Sequence, residues 1–189
     1  MKKIILVNAS PREKGNCAMA MDIIQENLHD AQVEVFNIRE RSLNGCKGCD
    51  ACKSQETVSC VQKDDMAELL ARLDTCDALV VATPIYFGMV TGQAKLFLDR
   101  TYPFFNPTKP NMTIATKFGK KVAIVLTAGS MPTDVNARHG EAYNCFGIAG
   151  FTDSKVLSFN SEKSGTGANI FSIEEDAQQL RELAAWLSE

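Results

Sequence analysis

The sequence predicts an α/β protein with a doubly wound, five-stranded parallel sheet and helices on both faces. Apolar runs of strand length alternate five times with segments whose apolar residues recur at helical spacing. The first strand run, KIILVN at residues 3–8, is continuously apolar, as in a strand that is buried on both faces. No linker or internal repeat divides the 189 residues. We therefore expect one domain over residues 1–189 and the strand order 2-1-3-4-5.

The first half of the chain carries three of these strands. Their apolar runs lie at residues 3–8 (KIILVN), 33–38 and 78–82 (ALVVA). A helix is predicted over residues 16–29. Another is predicted after an N-cap at Asp64 or Asp65, because its apolar residues Met66, Leu69, Leu70 and Leu73 share one helical face. We expect Pro84 to end the third strand, since proline has no N–H for a sheet ladder.

The second half completes the alternation. The predicted elements are a helix at 92–100, a strand at 121–126 (KVAIVL), a helix at 134–146, a strand at 155–159 and a final helix carrying Ile173, Ala177, Leu180, Leu183 and Leu187. Residues 161–169 are rich in Ser and Gly and are interpreted as a loop. In the predicted strand order, ligands bind at the carboxyl ends of the first and third strands.

Composition excludes several classes of function. The net charge is −3 without a long run of one sign, so neither nucleic acid nor membrane binding driven by bulk charge is indicated. No apolar stretch approaches the roughly 18 residues of a membrane span. The apolar start is too short for a secretory signal, and we expect a cytoplasmic protein. Seven cysteines, an odd number, argue against a disulfide framework in that reducing compartment.

The loop after the first strand, ASPREKGNC at residues 9–17, has the chemistry of an anion site. It leads directly into a helix N-terminus, where free N–H groups and the helix dipole favour negative charge. Ser10 adds a hydroxyl, Arg12 adds a guanidinium that can bind phosphate oxygens in a fork, and Gly15 permits a close approach. Turn formation alone would explain Ser, Pro, Gly and Asn but not the arginine. The sequence matches neither G-x-G-x-x-G nor a Walker loop.

The loop after the third strand begins ATPIYFG, at residues 82–88, and is suited to a flat ligand. Tyr86 and Phe87 follow the strand end directly, and Gly88 permits a tight turn. A planar ligand needs a flat apolar wall and backbone donors for its polar edge. The alternative is a hydrophobic loop that covers the edge of the sheet.

Four of the seven cysteines lie at residues 45–60, GCKGCDACKSQETVSC. The spacing C-x2-C-x2-C is unusual for one structural zinc ion, which commonly takes two separated C-x2-C pairs. The same triplet suits three corners of a cubane iron–sulfur cluster. Reversible or idle thiols are the competing interpretation.

In combination, these motifs resemble a known family. The order SPR-x-x-GN, C-x2-C-x2-C with a further cysteine, then TPIYFG, TGQ and K-x-F-x-DR is similar to the flavodoxin-like FMN oxidoreductases. These include NAD(P)H-dependent FMN reductases and, within them, iron–sulfur flavoproteins. The resemblance implies a flavodoxin-like fold and an FMN cofactor. Cys17 departs from the family, which usually has Ser or Thr at this position.

The resemblance also implies roles for individual residues. The FMN phosphate would be held by Ser10, Arg12, Asn16 and Cys17. The ring and ribityl chain would contact Thr83, Pro84, Ile85, Tyr86, Phe87 and Gly88. The ring would be covered by Thr127, Ala128, Gly129 and Ser130. A [4Fe–4S] cluster would take Cys46, Cys49, Cys52 and Cys60 as ligands, with zinc or free thiols, including a reversible Cys49–Cys52 pair, as alternatives.

The implied activity is an FMN-dependent oxidoreductase that takes electrons from NAD(P)H. The acceptor would be a flavin, a quinone, a nitro compound or a redox partner. Alternatives are an iron–sulfur flavoprotein that exchanges single electrons with a ferredoxin-like protein, and a non-catalytic FMN-binding module. Because the flavin carries the chemistry, no catalytic side chain is expected. The family also implies a homodimer or tetramer.

Overall fold

A computed structural model describes residues 1–129, 142–165 and 169–189. Its strands and α-helices, in chain order, are β1 (Lys2–Asn8), α1 (Asn16–Glu26), β2 (Ala31–Asn37), α2 (Asp65–Thr75), β3 (Ala78–Tyr86), β4 (Met89–Val90), α3 (Gly92–Asp99), β5 (Lys120–Ala128), β6 (Phe151–Asn160) and α4 (Glu174–Ser188). Short 3-10 helices lie in the connections, among them Ala51–Ser54 within the cysteine-rich segment and Ala142–Gly147 before β6.

The sheet confirms the predicted topology. Its strand order is β2-β1-β3-β5-β6 with every neighbouring pair parallel, which is the order 2-1-3-4-5 counted over the parallel strands. The two-residue strand β4 is additional and pairs antiparallel with the end of β3. The carboxyl ends of β1, β3 and β5 therefore meet at one edge of the sheet.

Two apolar layers bury the sheet on its two faces. Ile4 and Leu6 of β1 belong to a cluster with residues of α1 and α4, such as Ile24 and Leu180. Ile5 and Val7 alternate with them on the opposite face and belong to a second cluster with residues of α2 and α3. The alternation follows from the two-residue period of a strand. Among the described residues, no helix combines the length and apolar character needed to span a bilayer.

The prediction that Pro84 ends the third strand is wrong. β3 continues to Tyr86, and Pro84 lies opposite Thr127 of β5. The pairing with β1 stops at Ala82, so beyond that point β3 has a parallel neighbour on one side only. A residue without an N–H is tolerated there, as at an edge strand.

The other boundaries differ for local reasons. β6 has ten residues instead of the five predicted at 155–159, because most of its first half is exposed and polar and gives no apolar signal. The helix predicted at 16–29 ends at Glu26, and Asp64 is confirmed as the N-cap of α2. Of the helix predicted at 134–146, residues 134–141 lie outside the described residues, and the part from Ala142 is 3-10 helix.

Candidate functional site

A cleft of about 280 Å³ lies at the carboxyl ends of β1, β3 and β5. The loops after β1 and β3, where the strand order predicts ligand binding, meet there with the end of β5. The residues that line the cleft are Ser10, Arg12, Gly15, Asn16, Cys17, Pro84, Ile85, Tyr86, Thr127, Ala128, Gly129 and Ser161. Nine of the twelve predicted cofactor residues are in this set, and Thr83, Phe87 and Gly88 are not.

The loop after β1 is folded by its own hydrogen bonds. The Ser10 N–H donates to Asn8 Oδ1 (3.1 Å), and the Arg12 N–H donates to Ser10 Oγ (3.1 Å). Gly15 lies against this turn, and a Cβ there would be 3.2 Å from Arg12 Cβ. The Arg12 side chain is exposed and forms no ion pair with the residues described. Together with the free N–H groups of the first turn of α1, it gives this end of the cleft the chemistry of an anion site.

The two residues that begin α1 are both tied to other elements. Asn16 Oδ1 accepts a hydrogen bond from the Ile170 N–H (3.0 Å), which joins α1 to the segment before α4. The Cys17 thiol is buried and lies 3.3 Å from Thr127 Oγ1. Burial raises the pKa of Cys17 to about 12 in spite of that hydrogen bond. Cys17 is therefore a neutral thiol at physiological pH, and its backbone N–H is the group suited to an anion.

The end of β3 forms the apolar wall of the cleft. Pro84 and Ile85 line it, followed by Tyr86, whose side chain is 40% exposed. Phe87 and Gly88 instead form the turn between β3 and β4, with φ of 50° and 75°. Phe87 points fully into solvent.

Thr83 is buried behind the wall, where it braces the surrounding loops. Its Oγ1 lies 3.1 Å from Thr91 Oγ1, and the Thr91 hydroxyl donates to Ala9 O (2.8 Å). Thr91 is also the N-cap of α3, where its Oγ1 accepts a hydrogen bond from the Ala94 N–H (3.2 Å). Thr83 thus connects the end of β3 with the start of α3 and with the loop after β1.

The far side of the cleft is formed by the end of β5. Ala128 and Gly129 line it, while the predicted Ser130 lies outside the described residues. Ser161 completes this side: its N–H and Oγ both donate to Gly129 O, at 2.8 and 3.0 Å. Sequence reasoning assigned Ser161 to a loop. Its place directly after the last parallel strand, at the same edge of the sheet, was the signal that it would reach the cleft.

The four clustered cysteines line one separate, small cavity of about 20 Å³, together with Arg100. Cys46 and Cys49 are exposed, and Cys52 and Cys60 are partly buried. In the described part of the chain, no three metal-ligating side chains surround a common point, so metal binding would need side-chain rotations. All seven cysteines are free thiols.

A buried ion pair anchors this cavity. Arg100, which follows α3, donates from Nη1 and Nη2 to the two carboxylate oxygens of Asp64 (2.5 and 2.8 Å), and Nη1 also donates to Asn44 O (2.7 Å). Both charged side chains are 1% exposed. Burial alone would raise the pKa of Asp64, but the hydrogen bonds and charge of Arg100 hold it at about 2. The sequence offered no signal for this pairing over 36 positions.

A second anchor holds the turn that contains Cys52. Lys53 Nζ lies 3.4 Å from the centroid of the Tyr102 ring and donates to the Tyr102 carbonyl (2.9 Å) and to that of Phe105. The Asn106 side chain donates to Lys53 O (3.0 Å). An ammonium over an aromatic face is attracted by the ring quadrupole. The 3-10 turn Ala51–Ser54 is therefore fixed on the segment that follows α3.

Comparison with known proteins gives consistent similarities. A family model described as NADPH-dependent FMN reductase matches residues 2–140. An iron-sulfur flavoprotein of Archaeoglobus fulgidus is 31% identical over 148 residues, which are 77% of this chain and 64% of that protein. The chain spans between 48% and 64% of the length of the curated relatives it matches.

Two solved structures share the fold along the whole chain. One is an FMN-dependent NADH-azoreductase from Bacillus anthracis in complex with FMN, 14% identical, with a TM-score of 0.73 over 100% of both chains. The other is an NAD(P)H:quinone oxidoreductase from Methanothermobacter marburgensis, 14% identical, with a TM-score of 0.73 over 100% of this chain and 98% of that one.

Proposed function

Because the chain belongs to the NADPH-dependent FMN reductase family, we propose that it is an FMN-dependent oxidoreductase. It takes electrons from NAD(P)H and passes them to a flavin, a quinone, a nitro compound or a redox partner. The observation that carries this proposal is the cleft itself, which has the Arg12 guanidinium and the start of α1 at one end and an apolar wall, at the meeting point of β1, β3 and β5. FMN has the matching chemistry, a phosphate at one end and a flat ring at the other.

The residues in the cleft fit FMN. Ser10, Arg12 and the N–H groups at the start of α1 would hold the phosphate, and Gly15 leaves the space that the Arg12 side chain needs beside Ser10. The segment 84–86 would lie against the ring, opposite residues 128–129. When bound, FMN supplies the redox chemistry, accepting electrons from a nicotinamide and releasing them singly or in pairs.

The chain's own contribution is binding, orientation and exclusion of water. The apolar segment from Pro84 to Tyr86 removes water from one side of the cleft. Cys17 keeps its proton and takes no part in thiolate chemistry. None of the titratable groups that line the cleft in the described structure is needed as an acid or base.

The proposed activity is tested by steady-state kinetics. Purified protein loaded with FMN is mixed with NADH or NADPH, with and without a quinone, a nitro compound or free FMN, and nicotinamide oxidation is followed at 340 nm. We expect turnover that depends on both FMN and the acceptor. Tight FMN binding without turnover would indicate a non-catalytic FMN-binding module instead. Absence of FMN binding would overturn the proposal.

The Arg12→Ala variant is expected to weaken FMN binding by about 1.5–3 kcal/mol, the range for a hydrogen bond to a charged group. Arg12 is the exposed cation at the anion end of the cleft. Fluorescence titration of the apo-protein measures the affinity. Lys14→Ala is the matched control, because it removes an exposed positive charge of the same loop that does not line the cleft. Equal effects of the two substitutions would reduce Arg12 to a general electrostatic role.

A second candidate function is electron transfer through an iron–sulfur cluster, in single steps, with a ferredoxin-like partner. Two observations favour it: Cys46, Cys49, Cys52 and Cys60 line one cavity, and Arg100, which also lines it, has a buried Nε without a hydrogen-bond partner among the described residues. Four thiols are the donor set of a [4Fe–4S] cluster, and an unpartnered donor suits an anionic group. The relatives named iron-sulfur flavoproteins support the same site.

This site is tested by metal analysis of anaerobically expressed protein. Iron and labile sulfide are counted in the wild type and in the seven single Cys→Ser variants. We expect each of the four clustered cysteines to be required, and Cys17, Cys76 and Cys145 to be dispensable. FMN content should not change, because the cleft lies in other loops. Wild-type protein without iron would contradict the cluster and favour free thiols at these four positions. Bound zinc instead of iron would indicate a zinc site.

We further propose a homodimer or tetramer that acts in the cytoplasm. Phe87 and Met89 expose their apolar side chains in the hairpin beside the cleft, and exposed apolar groups of this kind support a subunit contact. Seven free thiols suit a reducing compartment. Analytical ultracentrifugation of the wild type and of Phe87→Ser tests the contact, since the variant should dissociate more readily.

A further inference from the structure

The guanidinium of Arg100 has one donor that the fold does not satisfy. Its Nη1 and Nη2 are used by Asp64 and by the Asn44 carbonyl, yet Nε is buried without a hydrogen-bond partner in the described structure. Buried N–H groups are almost always paired, so this donor is available to a further acceptor.

The orphaned donor cannot turn towards a different acceptor. The carboxylate of Asp64 forms a bidentate ion pair with the guanidinium. Asp64 itself accepts hydrogen bonds from the N–H groups of Ala67 (3.3 Å) and Asn44 (3.0 Å). At the other end of α3, Thr91 is hydrogen-bonded to the loop after β1. The position and direction of Nε are thus set by the ends of two helices.

The sulfur of Cys60 is the candidate acceptor for this donor. Cys60 and Arg100 line the same cavity, and Cys60 is the clustered cysteine nearest in the chain to Asp64, the carboxylate that pairs with the guanidinium. A thiol is a weak hydrogen-bond acceptor. A thiolate that ligates iron is anionic and accepts hydrogen bonds, which is how proteins tune such centres.

We infer that the Nε–H of Arg100 donates a hydrogen bond to the sulfur of Cys60 once that cysteine binds iron, so that Arg100 is the positioning residue of the cysteine site. The inference rests on the iron–sulfur site proposed above. It assigns Cys60 a distinct place among the four ligands, as the one joined to the buried Arg100–Asp64 pair. Because hydrogen bonds to ligand sulfur set the reduction potential, the contact affects more than retention of the cluster.

The test compares the wild type with Arg100→Lys after anaerobic reconstitution with iron and sulfide. Lysine keeps a positive charge beside Asp64 but lacks the planar guanidinium and its Nε–H donor. We expect the affinity for iron, measured by chelator competition, to fall by about 10–100-fold. In the molecules that retain a cluster, its midpoint potential should shift to a more negative value, because a hydrogen bond to sulfur is lost. FMN content should stay at the wild-type level.

Arg72→Lys is the matched control, since it makes the same exchange in an ion pair with Glu34 outside the cavity. It should change neither iron retention nor potential. If Arg100→Lys does not fold, the neutral pair Arg100→Met/Asp64→Asn takes its place, because asparagine retains an N-cap acceptor for α2.

Each remaining outcome decides against the inference. Loss of iron with an unchanged potential in the retained clusters would make Arg100 a purely structural anchor. Wild-type levels of iron with an unchanged potential would remove Arg100 from the site. A wild type that never binds iron would overturn both the cluster and this inference, while FMN binding and NAD(P)H oxidation would still test the oxidoreductase proposal separately.

Discussion

Gly150→Ala is expected to lower the free energy of unfolding by about 3–5 kcal/mol, at the upper end of what single substitutions cause. Gly150 precedes β6 with φ of +86°, a left-handed conformation that itself costs a residue with a Cβ about 1–2 kcal/mol. The added Cβ would also overlap with the Lys117 carbonyl oxygen and lie 3.2 Å from the Lys120 side chain. Backbone cannot move aside here, because the Gly150 carbonyl accepts the Lys120 N–H (3.1 Å) at the start of β5.

Urea unfolding measures this loss, and Gly119→Ala is its control. Gly119 has a similar φ of +75°, but an added Cβ would meet nothing within 4 Å. We expect that variant to lose only the conformational part, about 1–2 kcal/mol. Equal losses in the two variants would contradict the steric explanation for Gly150.

Asp64→Asn is expected to destabilise the protein by about 3–5 kcal/mol near pH 7. The substitution leaves the Arg100 guanidinium buried without its counter-ion, and removing one partner of a buried pair is far more costly than removing one partner of an exposed pair. Asn still supplies an N-cap oxygen for α2, so the loss reports the charge. Asp99→Asn is the control: its pair with Lys95 is exposed, and we expect a loss below about 1 kcal/mol.

The pH dependence of this difference has a definite sign. The pKa of Asp64 is about 2 in the folded protein, below the value of about 3.9 in an unfolded chain. The ionised carboxylate therefore contributes stability that is fully present above about pH 4 and is lost as the pH falls through 2, on the order of 2 kcal/mol.

Denaturant titrations of the wild type and Asp64→Asn at a series of pH values test this. The difference between their unfolding free energies should be constant above about pH 5 and should narrow from about pH 4 downwards. A difference that stays the same down to pH 2 would contradict the pairing of Asp64 with Arg100.

Local sequence was sufficient for the strand order and for most of the cleft. Buried parallel strands are continuous apolar runs, so 3–8, 78–82 and 121–126 were recognisable without neighbours. Once the order is known, the carboxyl ends of β1, β3 and β5 must adjoin. That constraint brought Ser10, Pro84 and Ala128 to one place, as the structure has them.

Boundaries and roles that depend on neighbouring elements were not predictable in this way. Pro84 continues β3 because β1 has already ended beside it, which is a property of two strands together. Thr83 has the same local context as the residues of the wall, yet its side chain is buried against Thr91. Alternation along a strand decides which neighbour faces the cleft, and the sequence alone did not give its phase.

The sequence by itself determined the doubly wound architecture, the position of the Arg12 loop at the edge of the sheet and the grouping of four cysteines, because each depends on adjacent residues. Only the tertiary structure decided what surrounds the cysteines, namely the ion pair of Arg100 with Asp64 and the cation–π contact of Lys53 with Tyr102. These contacts join side chains 36 and 49 positions apart. Which long-range charges meet depends on how helices pack on the sheet, and burial then makes those few contacts strong because water no longer screens them.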